Sequence, residues 1–155
     1  CGVPEAAFSK RVYAALDTYA IDLVLLGGFL RRLPVRPDYR WRIMNIHPSL
    51  LPLFGGRGMY GERVHRAVLE SGMKVSGCTV HFVTDELDRG PIILQACVPV
   101  EEDDTPETLA ARVFAEECRL YPEAVRLFAA GRLVVDGQRV RILPAPAGKT
   151  TEETG

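Results

Sequence analysis

Apolar positions recur along this chain with two different periods, and the switches between them mark its elements. Residues 8–20, FSKRVYAALDTYA, place Val12, Leu16 and Tyr19 on one helical face. In the next run, Ile21–Phe29, the first six residues are apolar and mostly branched apart from Asp22. That composition predicts a strand buried on both faces, the environment a parallel sheet supplies. Gly27-Gly28 ends it and permits close backbone approach. LRRLPVRPDYR, broken by Pro34 and Pro37, predicts a loop. Arg42 to about Ile46 predicts a second short strand, stopped by Pro48 and Pro52. A glycine-rich connection from Leu53 to Gly61 leads into a helix over GERVHRAVLES, with Val64, Ala67 and Val68 on one face.

Two further strands are expected, at about 76–84 and at 91–100. In the first, Thr79, His81 and Val83 share one face and Val80 and Phe82 the other. EEDD at 101–104 has the composition of a solvated loop. Thr105 is placed to cap a long helix with Pro106 at its first position, ending before Gly131. Pro122 falls inside that helix and predicts a kink or break. RLVVDGQRVRIL alternates about Asp136-Gly137, a hairpin signal. The last residues, 144–155, have a disordered composition.

Helices alternating with apolar strands predict an α/β fold whose sheet is largely parallel. Ligands of such sheets sit beyond the carboxyl ends of the strands. Gly27–Leu33, Asn45–Ser49 and Thr84–Asp88 all fall at such ends, which points to one shared site.

Composition narrows the function classes. The 155 residues fit one ordinary domain, with 47% apolar and 25% charged residues. A net charge of −1 gives no global basic field for nucleic acid. No apolar run has transmembrane length, and no signal peptide is recognisable. Cys1, Cys78, Cys97 and Cys118 form neither a zinc nor a disulfide spacing, so no metal is expected. Cys78 and Cys97 are expected to be buried thiols, and a cytoplasmic location follows. The chain opens on Cys-Gly-Val-Pro without Met, which suggests a fragment or trimmed product.

The candidate chemistry is sparse. GRGMYG, Gly56–Gly61, matches G-x-G-x-x-G, but no strand feeds it and no acid lies between Ser71 and Thr84 to hold a ribose. A tight loop entering a helix explains it better than a dinucleotide site. Of three histidines, His65 has charged helical neighbours and is expected at the surface. His81, mid-strand, is expected to be an internal hydrogen-bonded residue. His47 follows a strand and is fixed in direction by Pro48; it is either functional or a structural cap of its loop. Asp88 lies just past the strand holding His81, and a carboxylate there can hold an imidazole and make a tunable acid.

NIHPSLLP at 45–52, HFVTDELDRGP at 81–91 and ECRLYP at 117–122 closely resemble the glycinamide ribonucleotide transformylase family, and GRGMYGERVH before SGCTVHF resembles one of its branches. The resemblance spans about residues 1–143 and implies a formyltransferase domain there, with a three-layer, mostly parallel, Rossmann-like sheet and a C-terminal hairpin. It implies formyl transfer from 10-formyltetrahydrofolate, as co-substrate, to the amine of glycinamide ribonucleotide. Asn45, His47 and Asp88 match the catalytic residues. Leu30, Arg31, Arg32, Leu33 and Asn45, with Thr84, Asp85, Glu86, Leu87 and Asp88, match the folate-contacting positions. Gly28, Ile46, Pro48 and Glu117 match positions on the nucleotide substrate. Partners are then small molecules, with no nucleic acid or membrane, and the protein is a monomer or homodimer. The family opens with a strand and a glycine-rich phosphate turn that this chain lacks, so a shortened sheet with an exposed edge is expected. The same resemblance leaves two alternatives. One is a 10-formyltetrahydrofolate hydrolase, against which Pro48 after His47 speaks. The other is a non-catalytic folate-binding remnant.

Overall fold

The computed structural model describes residues 4–145. In chain order the elements are α1 (Glu5–Leu16), β1 (Val24–Leu26), β2 (Ile43–His47), α2 (Glu62–Glu70), β3 (Val75–Phe82), β4 (Ile92–Pro99), α3 (Pro106–Ala129), β5 (Leu133–Asp136) and β6 (Arg139–Ile142). The strands form one sheet in the order β1-β2-β3-β4-β6-β5.

The α/β layering is as the sequence predicts, but the sheet is mixed. β1–β2 and β4–β6 pair parallel, whereas β2–β3, β3–β4 and β5–β6 pair antiparallel. The expectation of a mostly parallel sheet is corrected here. Its basis was continuous apolar strands, and coverage of both faces produces that pattern whatever the strand direction. β3 is buried at every position after Val75, yet both its neighbours run antiparallel to it.

Ile43 and Met44, successive residues of β2, enter different clusters, because side chains alternate across a strand. Met44 joins Val68 of α2, Val80 and Phe82 of β3 and Leu109, Val113 and Leu120 of α3 in the main core. Ile43 joins Tyr13 of α1 with Leu33 and Tyr39. Helices therefore flank β2 on both sides, giving three layers there. Gly90 lets β4 start tight against β3: a Cβ at this position would lie 1.7 Å from the Phe82 carbonyl oxygen.

Several expectations change in detail. β1 is three residues long and Leu25 is 48% exposed, so it is not buried on both faces; among the described residues it is one edge of the sheet, with β5 at the other. α1 ends at Leu16 and leaves Tyr19 exposed. Cys97 is exposed rather than buried, because alternate residues of β4 face outward. The acidic loop is not wholly solvated: the Asp104 carboxylate is buried and takes two bonds from Arg112, at 2.6 and 2.9 Å. Those bonds hold it well below the usual carboxylate range. α3 starts with the expected Thr105 cap, completed by Thr108, and runs unbroken through Pro122. The expected hairpin forms, with Gly137 and Gln138 as its turn between Asp136 and Arg139 and Gly137 at φ 60°. Of the expected disordered tail, 146–155 lies outside the described residues.

Candidate active site

β2 ends at His47, and the loop that follows is shaped by a buried polar group on β3. The Thr79 hydroxyl donates to the Ser49 carbonyl at 2.7 Å and accepts from the Leu51 N–H at 3.1 Å. Gln95 on β4 donates to the Leu51 carbonyl and to the Thr79 oxygen, at 2.9 and 3.0 Å. Ser49 donates to the Leu53 carbonyl at 2.6 Å, and the Leu51–Pro52 peptide is cis. The chain is thereby turned back so that the Phe54 carbonyl lies 2.8 Å from His47 Nε2. With Nε2–H donating there, His47 Nδ1 faces Asp88 Oδ2 at 3.6 Å.

Asp88 adopts φ 55°, a left-handed conformation that Asp tolerates better than most residues. Its side chain is 8% exposed and lies between two imidazoles, with His81 Nε2 3.7 Å from Oδ1. The Gly56 N–H donates to Oδ2 at 2.8 Å, so the buried carboxylate has a fixed backbone partner. His81 is internal, as expected, but it belongs to this group. Its Nδ1–H donates to the Phe82 carbonyl at 2.9 Å, which leaves Nε2 to accept from the Asn45 amide at 3.4 Å. Burial holds His81 below the ordinary histidine value, against the opposing effects of the Phe82 bond and Asp88. A neutral His81 thus fixes the Asn45 amide through one N–H and leaves its second N–H free to donate.

The loops at 30–35 and 84–88 are tied to each other through Asp85. Arg32 donates to the Asp85 carbonyl at 2.9 Å and the Val35 N–H to its carboxylate at 3.1 Å. α3 is fixed over the ends of β1 and β2 by the Tyr121 hydroxyl, 2.9 Å from the Leu26 carbonyl and 3.0 Å from that of Met44. One turn earlier, Glu117 is half-buried, and desolvation raises its pKa above the usual carboxylate value.

These elements enclose one cavity of about 780 Å³. Every site position singled out in the sequence borders it: Gly28, Leu30–Leu33, Asn45–Pro48, Thr84–Asp88 and Glu117. Sequence reasoning missed other members. His65 is buried rather than at the surface; it borders the cavity and its Nδ1 has no hydrogen-bond partner among the described residues. Its place beside Val64 and three residues before Val68, on the buried stripe of α2, was the available signal. The Phe54 carbonyl and Gly56 N–H are backbone groups and leave no trace in residue identity. Among the described residues no group of three or more His, Cys, Asp or Glu is arranged to hold a metal ion.

Residues 3–125 match the protein family described as Formyl transferase. Phosphoribosylglycinamide formyltransferase of Escherichia coli (strain K12) is 43% identical over 156 residues, covering 95% of this chain and 69% of its own length. The chloroplastic enzyme of the same name from Arabidopsis thaliana is 54% identical over 112 residues, covering 71% of this chain and 38% of its own length. The chain thus spans well under half of that relative. Glycinamide ribonucleotide transformylase 1 from Symbiobacterium toebii superposes with a TM-score of 0.82 at 53% identity, covering 91% of this chain and 65% of its own. A formyltetrahydrofolate deformylase from Pseudomonas syringae superposes with a TM-score of 0.79 at 28% identity, covering 87% of this chain and 44% of its own.

Proposed function

We propose, from the premise that this chain belongs to the formyl transferase family, that it transfers the formyl group of 10-formyltetrahydrofolate directly to the amine of glycinamide ribonucleotide. The convergence of Asn45, His47 and Asp88 on one cavity wall, with His47 Nδ1 3.6 Å from Asp88, carries this reading. Relatives named for the same reaction at 43–54% identity favour it over other formyl acceptors.

The acceptor amine attacks the formyl carbon, a carbon–nitrogen bond forms, and the carbonyl oxygen becomes an oxyanion. The free N–H of Asn45 and the Nε2–H of His47 stabilise that oxygen; Nε2–H turns to it from the Phe54 carbonyl. Asp88 balances the imidazolium and orients the ring. As the intermediate collapses, the amine loses a proton, the bond from carbon to folate N10 breaks, and N10 takes a proton relayed through His47 and Asp88. No group on the enzyme becomes acylated. The linked loops Leu30–Leu33 and Thr84–Asp88 hold the folate, and Gly28, Ile46, Pro48 and Glu117 hold the acceptor. The same proposal makes the protein a cytoplasmic monomer or homodimer with small-molecule partners. No helix among the described residues is long and apolar enough to cross a membrane.

The likeness to a deformylase keeps water as a second acceptor in view. Incubating the chain with 10-formyltetrahydrofolate, with and without glycinamide ribonucleotide, separates the two. Formyl transfer requires the nucleotide for turnover, whereas equal tetrahydrofolate release in both reactions identifies a hydrolase.

A further inference from the structure

Asp88 borders two cavities. Besides the main one it borders a smaller cavity of about 390 Å³, together with Leu51, Pro52, Glu86, Arg89 and, from the β5–β6 turn, Gln138. Glu86, Arg89 and Gln138 are exposed, so this second cavity has a polar mouth open to solvent. Gly55 lets the loop after His47 close on Asp88: a Cβ there would lie 2.5 Å from Leu51 Cδ2 and 3.1 Å from Asp88 Cβ. The two carboxylate oxygens differ in their surroundings. Oδ2 takes the Gly56 N–H at 2.8 Å and faces His47 Nδ1. Oδ1 takes no hydrogen bond from the described residues, because the nearby His81 Nε2 accepts from the Asn45 amide. Nor is Oδ1 sealed from solvent: among the described residues the buried side-chain atoms without a partner are His65 Nδ1 and Ser76 Oγ. A carboxylate oxygen that is reachable and has no donor is a place for water to bond and to exchange a proton.

We propose that the second cavity is the proton exit of the catalytic group, where water takes from Asp88 the proton that the acceptor's ammonium must lose before it attacks. This rests on the formyl-transfer reading above. An α-amine with a pKa of about 8 arrives at neutral pH with three protons on nitrogen. One leaves before attack, one stays on the amide nitrogen that forms, and one goes to folate N10 as its bond to the formyl carbon breaks. Each turnover therefore discharges one proton to solvent. Folate and nucleotide fill the main cavity at that moment and displace its water, while the second cavity stays open. The titratable and charged groups about Asp88 are His47 of β2, His81 of β3 and Glu86 and Arg89 of its own loop; the hairpin adds only the neutral Gln138 to this cavity.

The test plugs the second cavity from its rim and follows turnover of the 155-residue chain with 10-formyltetrahydrofolate and glycinamide ribonucleotide across pH. Gln138→Trp, and Arg89→Trp from a different loop, are each expected to lower kcat at neutral pH by up to about 10²-fold, the worth of a proton-transfer group, with both KM values unchanged. The defect fades above about pH 8, where the amine arrives neutral and has no proton to discharge. Gln138→Ala, which leaves the mouth open, keeps the wild-type kcat throughout. Plugged variants as fast as wild type at neutral pH overturn the exit. So does a change in KM alone, or a loss of formyl transfer to the nucleotide that does not vary with pH. Release of formate with a plug defect at every pH leaves the exit standing and removes the formyl-transfer reading, because attacking water yields a proton whatever the pH. A chain that turns over neither acceptor overturns both.

Discussion

The two sides of the cavity are held in different ways. On the wall proposed to hold the folate, Asp85 cross-links both loops through Arg32 and Val35, and next to it the Thr79–Gln95 group pins the segment after His47. On the facing wall, formed by the segment after Gly56 and by α3, Arg57, Tyr60 and Arg63 are exposed, and Phe114 of α3 is 62% exposed. The Gly56 N–H, bonded to Asp88, ties this wall to the Asn45–His47–Asp88 group. The contrast teaches a division of labour. On the proposed reading the formyl donor meets the braced wall, where electrostatic stabilisation costs little reorganisation. The facing wall has fewer such bonds among the described residues.

Substitutions can break this contrast, beginning with the group the two sides share. His47→Ala and Asp88→Asn are each expected to cut formyl transfer about 10²–10³-fold while the circular dichroism spectrum stays native. Thr79→Val removes a buried hydroxyl that three partners use, and is expected to cost about 1–3 kcal/mol in urea unfolding. Activity falls with it, because the turn that places Phe54 against His47 loosens; an unchanged unfolding midpoint would show that the turn holds without Thr79.

Effects at the two flanks are smaller and separate the sides. Asp85→Ala is expected to raise KM for the folate about 2- to 10-fold, the worth of ordinary hydrogen bonds, with KM for the acceptor unchanged. Phe114→Ala leaves stability within about 0.5 kcal/mol, as befits an exposed side chain, and raises KM for the acceptor alone. If either variant moved both constants equally, the two sides would not be independent.

The smallest effects are on pH dependence. Burial lowers the pKa of His65 and His81, so the folded chain binds fewer protons than the unfolded one and stability falls as pH drops below about 6.5. His65→Gln is expected to flatten that slope in thermal unfolding. Glu117 has the opposite sign. Its raised pKa makes the folded chain hold a proton longer, so its contribution is lost as pH rises above about 4.3, and Glu117→Gln is expected to remove that loss.

The same contrast explains what could be read from sequence. Element types follow from periodicity and from prolines at 48 and 52, and these survive in the structure. The expected meeting of three strand carboxyl ends does not: β3 runs antiparallel to β2, its last residue Phe82 pairs with Met44 near the start of β2, and the loop after β3 returns to bring Asp88 to His47. Strand direction does not follow from periodicity, since the residues of β3 carry no mark of which way their neighbours run. Asn45, His47 and Asp88 are conspicuous by type, and they meet in the cavity although Asn45 is mid-strand and Asp88 lies in the loop after β3. Their supports are not conspicuous: Phe54 and Gly56 act through the backbone, and Thr79 and Gln95 look like ordinary strand residues. His65 has charged chain neighbours, which point to the surface, but its helical spacing to Val68 puts it on the buried stripe of α2.

The most direct measurement is a single-turnover reaction of the chain with 10-formyltetrahydrofolate labelled on the formyl carbon and with glycinamide ribonucleotide, compared with His47→Ala. Direct transfer aided by His47 predicts label in formylglycinamide ribonucleotide, none on the protein, and a rate about 10²–10³-fold lower in the variant. Label released as formate at a rate indifferent to the nucleotide, or a variant as fast as the wild-type chain, contradicts it.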